Sequence, residues 1–226
     1  MKTRPILFSA PMVRALLAGT KTQTRRELHP QPSAEFMPIV GNYYRTLVDQ
    51  RTGAAYPEAF ARYGASDESE DYPCPYGAPG DRLWVREEHH ISLRDARTVA
   101  VRYLADGATV PEITIGPREH ALFVARKQPA AVTRARFMWR CLSRIQLEIT
   151  DVRAERLRAI TEADAKAEGV VPAPENHTAA AVAYIFGAKE FLAHTSAYAT
   201  LWEQLNGPGS WALNPWVWVL TFRRIA

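Results

Sequence analysis

The spacing of apolar side chains changes several times along the chain, and each change marks an element. Residues 5–8 read as an extended segment. Ser9 then stands where an N-cap belongs, with Pro11 in the first turn. Met12, Val13, Leu16 and Leu17 fall on one face of a helix that Gly19 stops. The run from Thr20 to Arg26 is polar and rich in β-branched residues, which predicts the start of a strand. Further strands are predicted at 82–88, 99–104, 121–126 and, longest, 142–157, where Ile145, Leu147 and Ile149 alternate with polar positions. The period then lengthens. Thr161-Glu162-Ala163-Asp164 has the form of a capping box with Asp in the acidic place, opening a short helix that Gly169 ends. A Pro-rich loop at 170–176 leads into helical sequence at 179–205, broken near Gly187. The last strand, 216–223, is apolar on both faces, which calls for a sheet covered on both sides.

Between 28 and 79 the sequence is dense in Pro, Gly, Tyr and acidic residues, including DESED at 67–71. It predicts an insertion at about 27–75 rather than a core element. No internal repeat is visible. Several strands with few long helices predict an α+β fold: one domain over 1–226, built as a small, mixed, partly closed β-barrel with flanking helices.

Composition narrows the class. With 226 residues, 47% hydrophobic and 23% charged, the chain has enough apolar surface to fold without disulfides or metals. Its longest apolar stretches fall short of the roughly 20 residues that span a bilayer, and its first residues lack a signal-peptide core, so a cytoplasmic location and no membrane partner are expected. Cys74 and Cys141 form one bridge at most and are expected as reduced thiols. The net charge of +4, carried by 23 Arg and 5 Lys against 24 acidic residues, permits contact with nucleic acid without arguing for it.

Most familiar catalytic patterns are missing. His89 and His90 are adjacent and cannot both face one ion from a regular strand, and the other histidines are scattered, so no metal is implied. Gly77-Ala78-Pro79-Gly80-Asp81 lacks the lysine of a phosphate loop and reads as a turn before a strand. No G-x-S-x-G elbow occurs. What remains is Gly19-Thr20-Lys21-Thr22-Gln23-Thr24-Arg25-Arg26, between a helix end and a strand. One reading makes it a polar strand start with a solvated face. The other makes Lys21 and Thr24 a base and nucleophile, with Arg26 holding an anionic or carbonyl group. In an ideal strand Lys21 and Thr24 point to opposite faces, so pairing them needs a turn or bulge after Gly19.

These residues, with 7–26, 76–89, 136–170 and 201–222 as a whole, resemble the ASCH superfamily, small β-barrel proteins related to the PUA fold, in the longer form often carried by phages and prophages. Short bacterial members are amidohydrolases that deacylate N4-acetylcytidine with a Lys, a Thr and a Glu. Their G-x-K-T-x-T-x-R motif reads here Gly19, Lys21, Thr22, Thr24 and Arg26. Matching T-E-x-x-A-x-x-E places the Glu on Glu168, with Glu162 and Asp164 close by in sequence. The resemblance implies catalysis by Lys21, Thr24 and Glu168 on a small modified nucleoside or base, without a cofactor. Arg26 would bind substrate, and Glu87, alternating with Val85, is a second candidate for the same cleft. Other superfamily members are proposed to bind RNA and some resemble ribonucleases, so an RNA-binding module and a ribonuclease stand as alternatives.

Overall fold

The computed structural model describes residues 1–33, 37–38, 43–51, 53–65, 68–95, 97–125, 132–170 and 194–226. It is a mixed α+β protein whose strands form three sheets; among the described residues the strand pairings close no barrel. The chain divides into two compact units. One comprises 1–18, 81–148 and 224–226; the other comprises 19–80 and 149–223.

In the first unit, β1 (Thr3–Leu7) runs parallel to β7 (Arg82–Arg86), Thr3 opposite Arg82, and β7 pairs antiparallel with the start of β11 (Gln146–Arg156). Asp81 fixes the beginning of β7. It is buried, and its carboxylate accepts from the Lys2 N–H at 2.6 Å and from Arg4 at 2.9 Å. Helix α1 (Ala10–Leu17) buries Met12, Val13 and Leu16; Ser9 has the extended backbone of an N-cap, but its hydroxyl makes no cap hydrogen bond. At the other end Arg224 donates to the Leu17 carbonyl at 3.0 Å, a cation at a helix C-terminus. A second sheet of β8 (His89–Leu93), β9 (Thr98–Tyr103) and β10 (Thr109–Thr114) packs Ile91, Val99, Val101 and Tyr103 against Ile115, Met138 and Leu142. The Tyr103 hydroxyl donates to the Leu142 carbonyl at 2.8 Å.

One expectation fails here. Residues 121–125 are helical, the end of α2 (Pro117–Ala125), rather than a strand. A short apolar run does not distinguish the two, and the helix-opening position of Pro117 was the informative signal. His89, on β8, is fully buried, its Nδ1 2.9 Å from the Glu87 carbonyl.

In the second unit, β12 (Trp216–Arg224) pairs antiparallel with β2 (Gln23–Glu27), Thr24 opposite Leu220 and Arg26 opposite Trp218. As its pattern requires, β12 is buried on both faces. Val217 and Val219 pack on Leu157, Ala165, Tyr198 and Trp202, which come from β11's end, α3 (Glu162–Ala167) and α4 (His194–Asn206). On the opposite face Trp216 meets Tyr63 edge-on at 4.8 Å. Residues 27–75, expected as an excursion, instead carry a sheet of their own. It orders β3 (Met37–Pro38), β5 (Ala55–Ala65) and β4 (Tyr43–Val48), with β6 (Glu68–Pro73) also on β5, and buries Ala59, Phe60, Ala61 and Tyr63. Thr161 forms the expected capping box with Asp164, and Gly169, at φ +80°, takes the left-handed turn after α3. The expected loop at 171–176 and helical sequence at 179–193 lie outside the described residues. Cys74 and Cys141 are free thiols, and no described helix is long and apolar enough to cross a membrane.

Leu157 is fully buried in the α3/α4 cluster, whereas Leu213 is 78% exposed. Leu157→Ala is expected to lower the unfolding free energy by about 3 kcal/mol, and Leu213→Ala by no more than about 0.5 kcal/mol. Both are read from urea denaturation; equal small effects would show that this cluster is not a packed core.

Candidate active site

The chain leaves α1 through Gly19, whose φ of +75° is costly for any residue with a Cβ, and turns toward β2. Two backbone contacts then fix the next residues. Lys21 forms an isolated antiparallel bridge with Glu168, and the Thr22 N–H donates to the Ala167 carbonyl at 2.8 Å. On the other side the Phe222 N–H donates to the Thr22 carbonyl at 2.9 Å. Lys21 is thereby held between the end of α3 and β12. Its amine donates to the Glu168 carboxylate (Oε2) at 2.6 Å and to the Glu168 carbonyl at 2.9 Å, with both side chains buried.

Arg25 closes this cluster from β2. Its guanidinium donates to Gln23 Oε1 at 2.7 Å and to Glu155 on β11 at 2.6 Å, and lies 3.4 Å from both Glu168 Oε1 and Asp164. Arg153 holds Glu155 and Asp164 from outside, at 3.1 and 3.0 Å. Tyr198 covers the group from α4. It is buried there, and its ring centroid is 5.9 Å from the Arg25 guanidinium carbon.

The electrostatics follow from burial. Desolvation pushes the Lys21 amine below the ordinary lysine range; the Glu168 charge and hydrogen bond oppose this, while the charges of Arg26 and Arg25 add to it. Burial also raises the Tyr198 phenol, reinforced by the Glu168 charge, so Tyr198 stays a donor. Burial pushes Asp164 upward, but hydrogen bonds from Thr161 and Gln23 and the Arg25 charge outweigh it and leave the carboxyl at about 2.

The three acidic residues near the end of the Thr161 motif have different roles. Glu162 accepts from the His194 and Thr195 backbone N–H groups at 2.8 and 3.1 Å and from the Thr195 hydroxyl, so it caps α4. Asp164 completes the capping box and meets two arginines. Glu168 is the one at Lys21. Arg26 acts on Lys21 through its charge, and it also opposes the burial that raises Tyr76.

Thr24 is 1% exposed and stands apart from this cluster. Gln23 and Arg25 share one face of β2, so strand alternation turns Thr24 to the other, the face of its partner Leu220. The register from Gln23 to Glu27 is continuous, without a bulge. A cavity of about 530 Å³ in this unit is lined by Leu28, His29, Pro30, Glu70, Tyr72 and Trp218.

Glu87 lies in the other unit and is engaged there. Both its oxygens accept from Arg144 at 2.8 Å, and Arg144 continues to Asp106 and lies 4.0 Å over the Tyr103 ring. Sequence reasoning missed Tyr198 and Glu155. A Tyr four residues before Trp202 reads as a core aromatic, and nothing in its spacing shows where the hydroxyl goes. Arg153 and Glu155, two apart on one strand face, carried a readable sign of a charged pair. Among the described residues no group of His, Cys, Asp and Glu is arranged to hold a metal. Comparison of the chain with protein-family models, with curated proteins and with solved structures gives no match.

Asp164 titrates lower folded than unfolded, so it stabilises the protein above its unfolded value near 3.8, and that contribution is lost as pH falls toward 2. The stability gap between the wild type and Asp164→Asn, roughly 2 kcal/mol at pH 5, should close by pH 2 in urea denaturation. A gap that stays constant would remove Asp164 from the ion-pair network.

Proposed function

We propose that this chain is an amidohydrolase of the ASCH type, related to the PUA fold, that removes the acyl group from N4-acylated cytosine or cytidine. The products are the free cytosine amine and a carboxylate. One observation carries the reading: in the G-x-K-T-x-T-x-R segment the Lys21 amine is buried 2.6 Å from the Glu168 carboxylate, the Lys and Glu that the resemblance pairs. A solvated strand start has no reason to bury an amine.

In this reading neutral Lys21 accepts a proton, which an arginine at the same place cannot do. Glu168 and Arg25 keep the amine in place. The Thr24 oxygen attacks the acyl carbonyl, the C–N4 bond breaks, and the proton taken by Lys21 passes to N4. Water then cleaves the Thr24 ester, releasing the carboxylate and restoring the hydroxyl. Arg26 faces the developing oxyanion. The leaving amine is helped by delocalisation into the pyrimidine ring. Because Thr24 and Arg25 occupy opposite faces of β2, the nucleophile is the step that substitution tests most directly.

Purified protein is incubated with N4-acetylcytidine and the ultraviolet change to cytidine followed. Hydrolysis is expected for the wild type, and losses of about 10³-fold or more in kcat/KM for Lys21→Arg, Glu168→Gln and Thr24→Ala. A Thr24→Ala protein as fast as the wild type would replace Thr24 by a water as nucleophile. No hydrolysis by the wild type across several acyl groups would overturn the reading in favour of RNA binding or cleavage, which salt-dependent binding of an RNA strand would then reveal.

A further inference from the structure

The face of β2 that carries Thr24 continues past it. Arg26 lies opposite Trp218 in the ladder, and the Leu28 N–H extends the pairing by donating to the Trp216 carbonyl at 3.0 Å. Thr24, Arg26, Leu28 and Trp218 therefore share one side of the β2/β12 pair, away from Val217 and Val219. On that side Leu28 and Trp218 line the cavity of about 530 Å³, together with Glu70, Asp71 and Tyr72 of β6. Its size is that of a small-molecule pocket. The aromatic wall is fixed from behind: Tyr63, itself buried, meets the Tyr72 ring edge-on at 5.5 Å and Trp216 at 4.8 Å.

We propose that this cavity receives the substrate as an uncharged nucleoside, with the base against Trp218 and Tyr72, the ribose hydroxyls on the Glu70 carboxylate, and the acyl group toward Arg26 and Thr24. The placement of the acyl group rests on the amidohydrolase reading; nucleoside binding does not. The two aromatic side chains offer a stacking surface to a pyrimidine, and a carboxylate is a strong acceptor for ribose hydroxyls. The carboxylates lining the cavity are not equally available. Asp71 is engaged by Arg62 at 2.7 and 3.1 Å and by Arg45 at 3.3 Å. Glu70 is exposed and accepts from the Tyr72 hydroxyl through Oε2, which leaves Oε1 for a ligand. The same carboxylate repels a 5′-phosphate, and among the described residues no lysine or arginine lines the cavity to offset it. Thr24 and Arg26 are two residues apart, about 7 Å of strand, comparable with the reach from an acyl carbon on N4 across the ring to the ribose.

Calorimetric titration of the full chain with cytidine and with cytidine 5′-monophosphate separates binding from turnover. The wild type should bind cytidine at least about tenfold more tightly than the monophosphate. Glu70→Gln should weaken cytidine binding by about tenfold, and Glu70→Arg should reverse the preference in favour of the monophosphate. In hydrolysis of N4-acetylcytidine, Glu70→Gln and Tyr72→Ala should raise KM by about tenfold and leave kcat within about twofold, the mark of lost binding rather than lost chemistry. Cytidine binding that responds to Glu70 and Tyr72 in a protein without hydrolytic activity would uphold the pocket and sink the amidohydrolase reading alone. Hydrolysis with KM unchanged in both folded variants would overturn the pocket and keep that reading. Equal affinity of the wild type for the two ligands, or no binding of cytidine, would also overturn the pocket. If Tyr72→Ala does not fold, the two substitutions at the exposed Glu70 decide.

Discussion

The amine of Lys21 is held out of water, and a bare ammonium in that position is among the most costly things a fold can bury. Desolvation of such an ion far exceeds what one salt bridge returns in isolation. The protein meets this cost by bringing a carboxylate to 2.6 Å and by lowering the proton affinity of the amine, so that the group is less committed to its charged form. Much of the second unit can be understood from that requirement. The backbone bridge between Lys21 and Glu168 fixes the two chains at the point where their side chains must meet, and the capping box and Gly169 set where α3 ends so that Glu168 falls there.

Lys21 and Glu168 alone would settle into an ordinary ammonium-carboxylate pair, chemically inert. Burial works against this most strongly, and the surrounding groups add to it by competing for the carboxylate and by adding positive potential at the amine. Arg25 does both, and it is itself restrained by Glu155 and Asp164, which Arg153 holds from the outer side. These residues come from β2, β11 and α3, with α4 above them. The site is therefore not a set of side chains mounted on a finished scaffold: the elements that build the core around Val217 and Val219 are the ones that place the charges.

The sequence disclosed the parts of this arrangement that depend on local pattern. The helix after Ser9, the Thr161 capping box and the doubly buried last strand are periodic or punctuated strongly enough to be read directly. Lys21 stood out because a polar run follows a glycine stop. What could not be read depends on long-range partners. The capping-box spacing marks Asp164 and the resemblance marks Glu168, but only the arrival of α4 shows what Glu162 does, and only Arg25 and Arg153 show how Asp164 is engaged. The strands between 37 and 73 were hidden because Pro, Gly and acidic residues there suggest a loop, yet β5 buries Phe60 and Tyr63 on its two faces. The helix at Pro117–Ala125 was misread because five consecutive apolar positions have no period.

Glu87 shows why a charged residue among strand positions is a weak sign of catalysis. It is as buried as Lys21, but Arg144 engages both its oxygens, and Asp106 and Tyr103 complete the surroundings of that arginine. Burial works against the Arg144 charge, yet its two carboxylate partners raise its proton affinity further, so the guanidinium stays charged. At Lys21 the balance runs the other way: burial and the neighbouring arginines outweigh a single carboxylate, and the proton is held less firmly than in water. The two buried pairs thus differ in kind. A base that titrates can exchange protons with a substrate, whereas a guanidinium held by two carboxylates can only hold its neighbours in place.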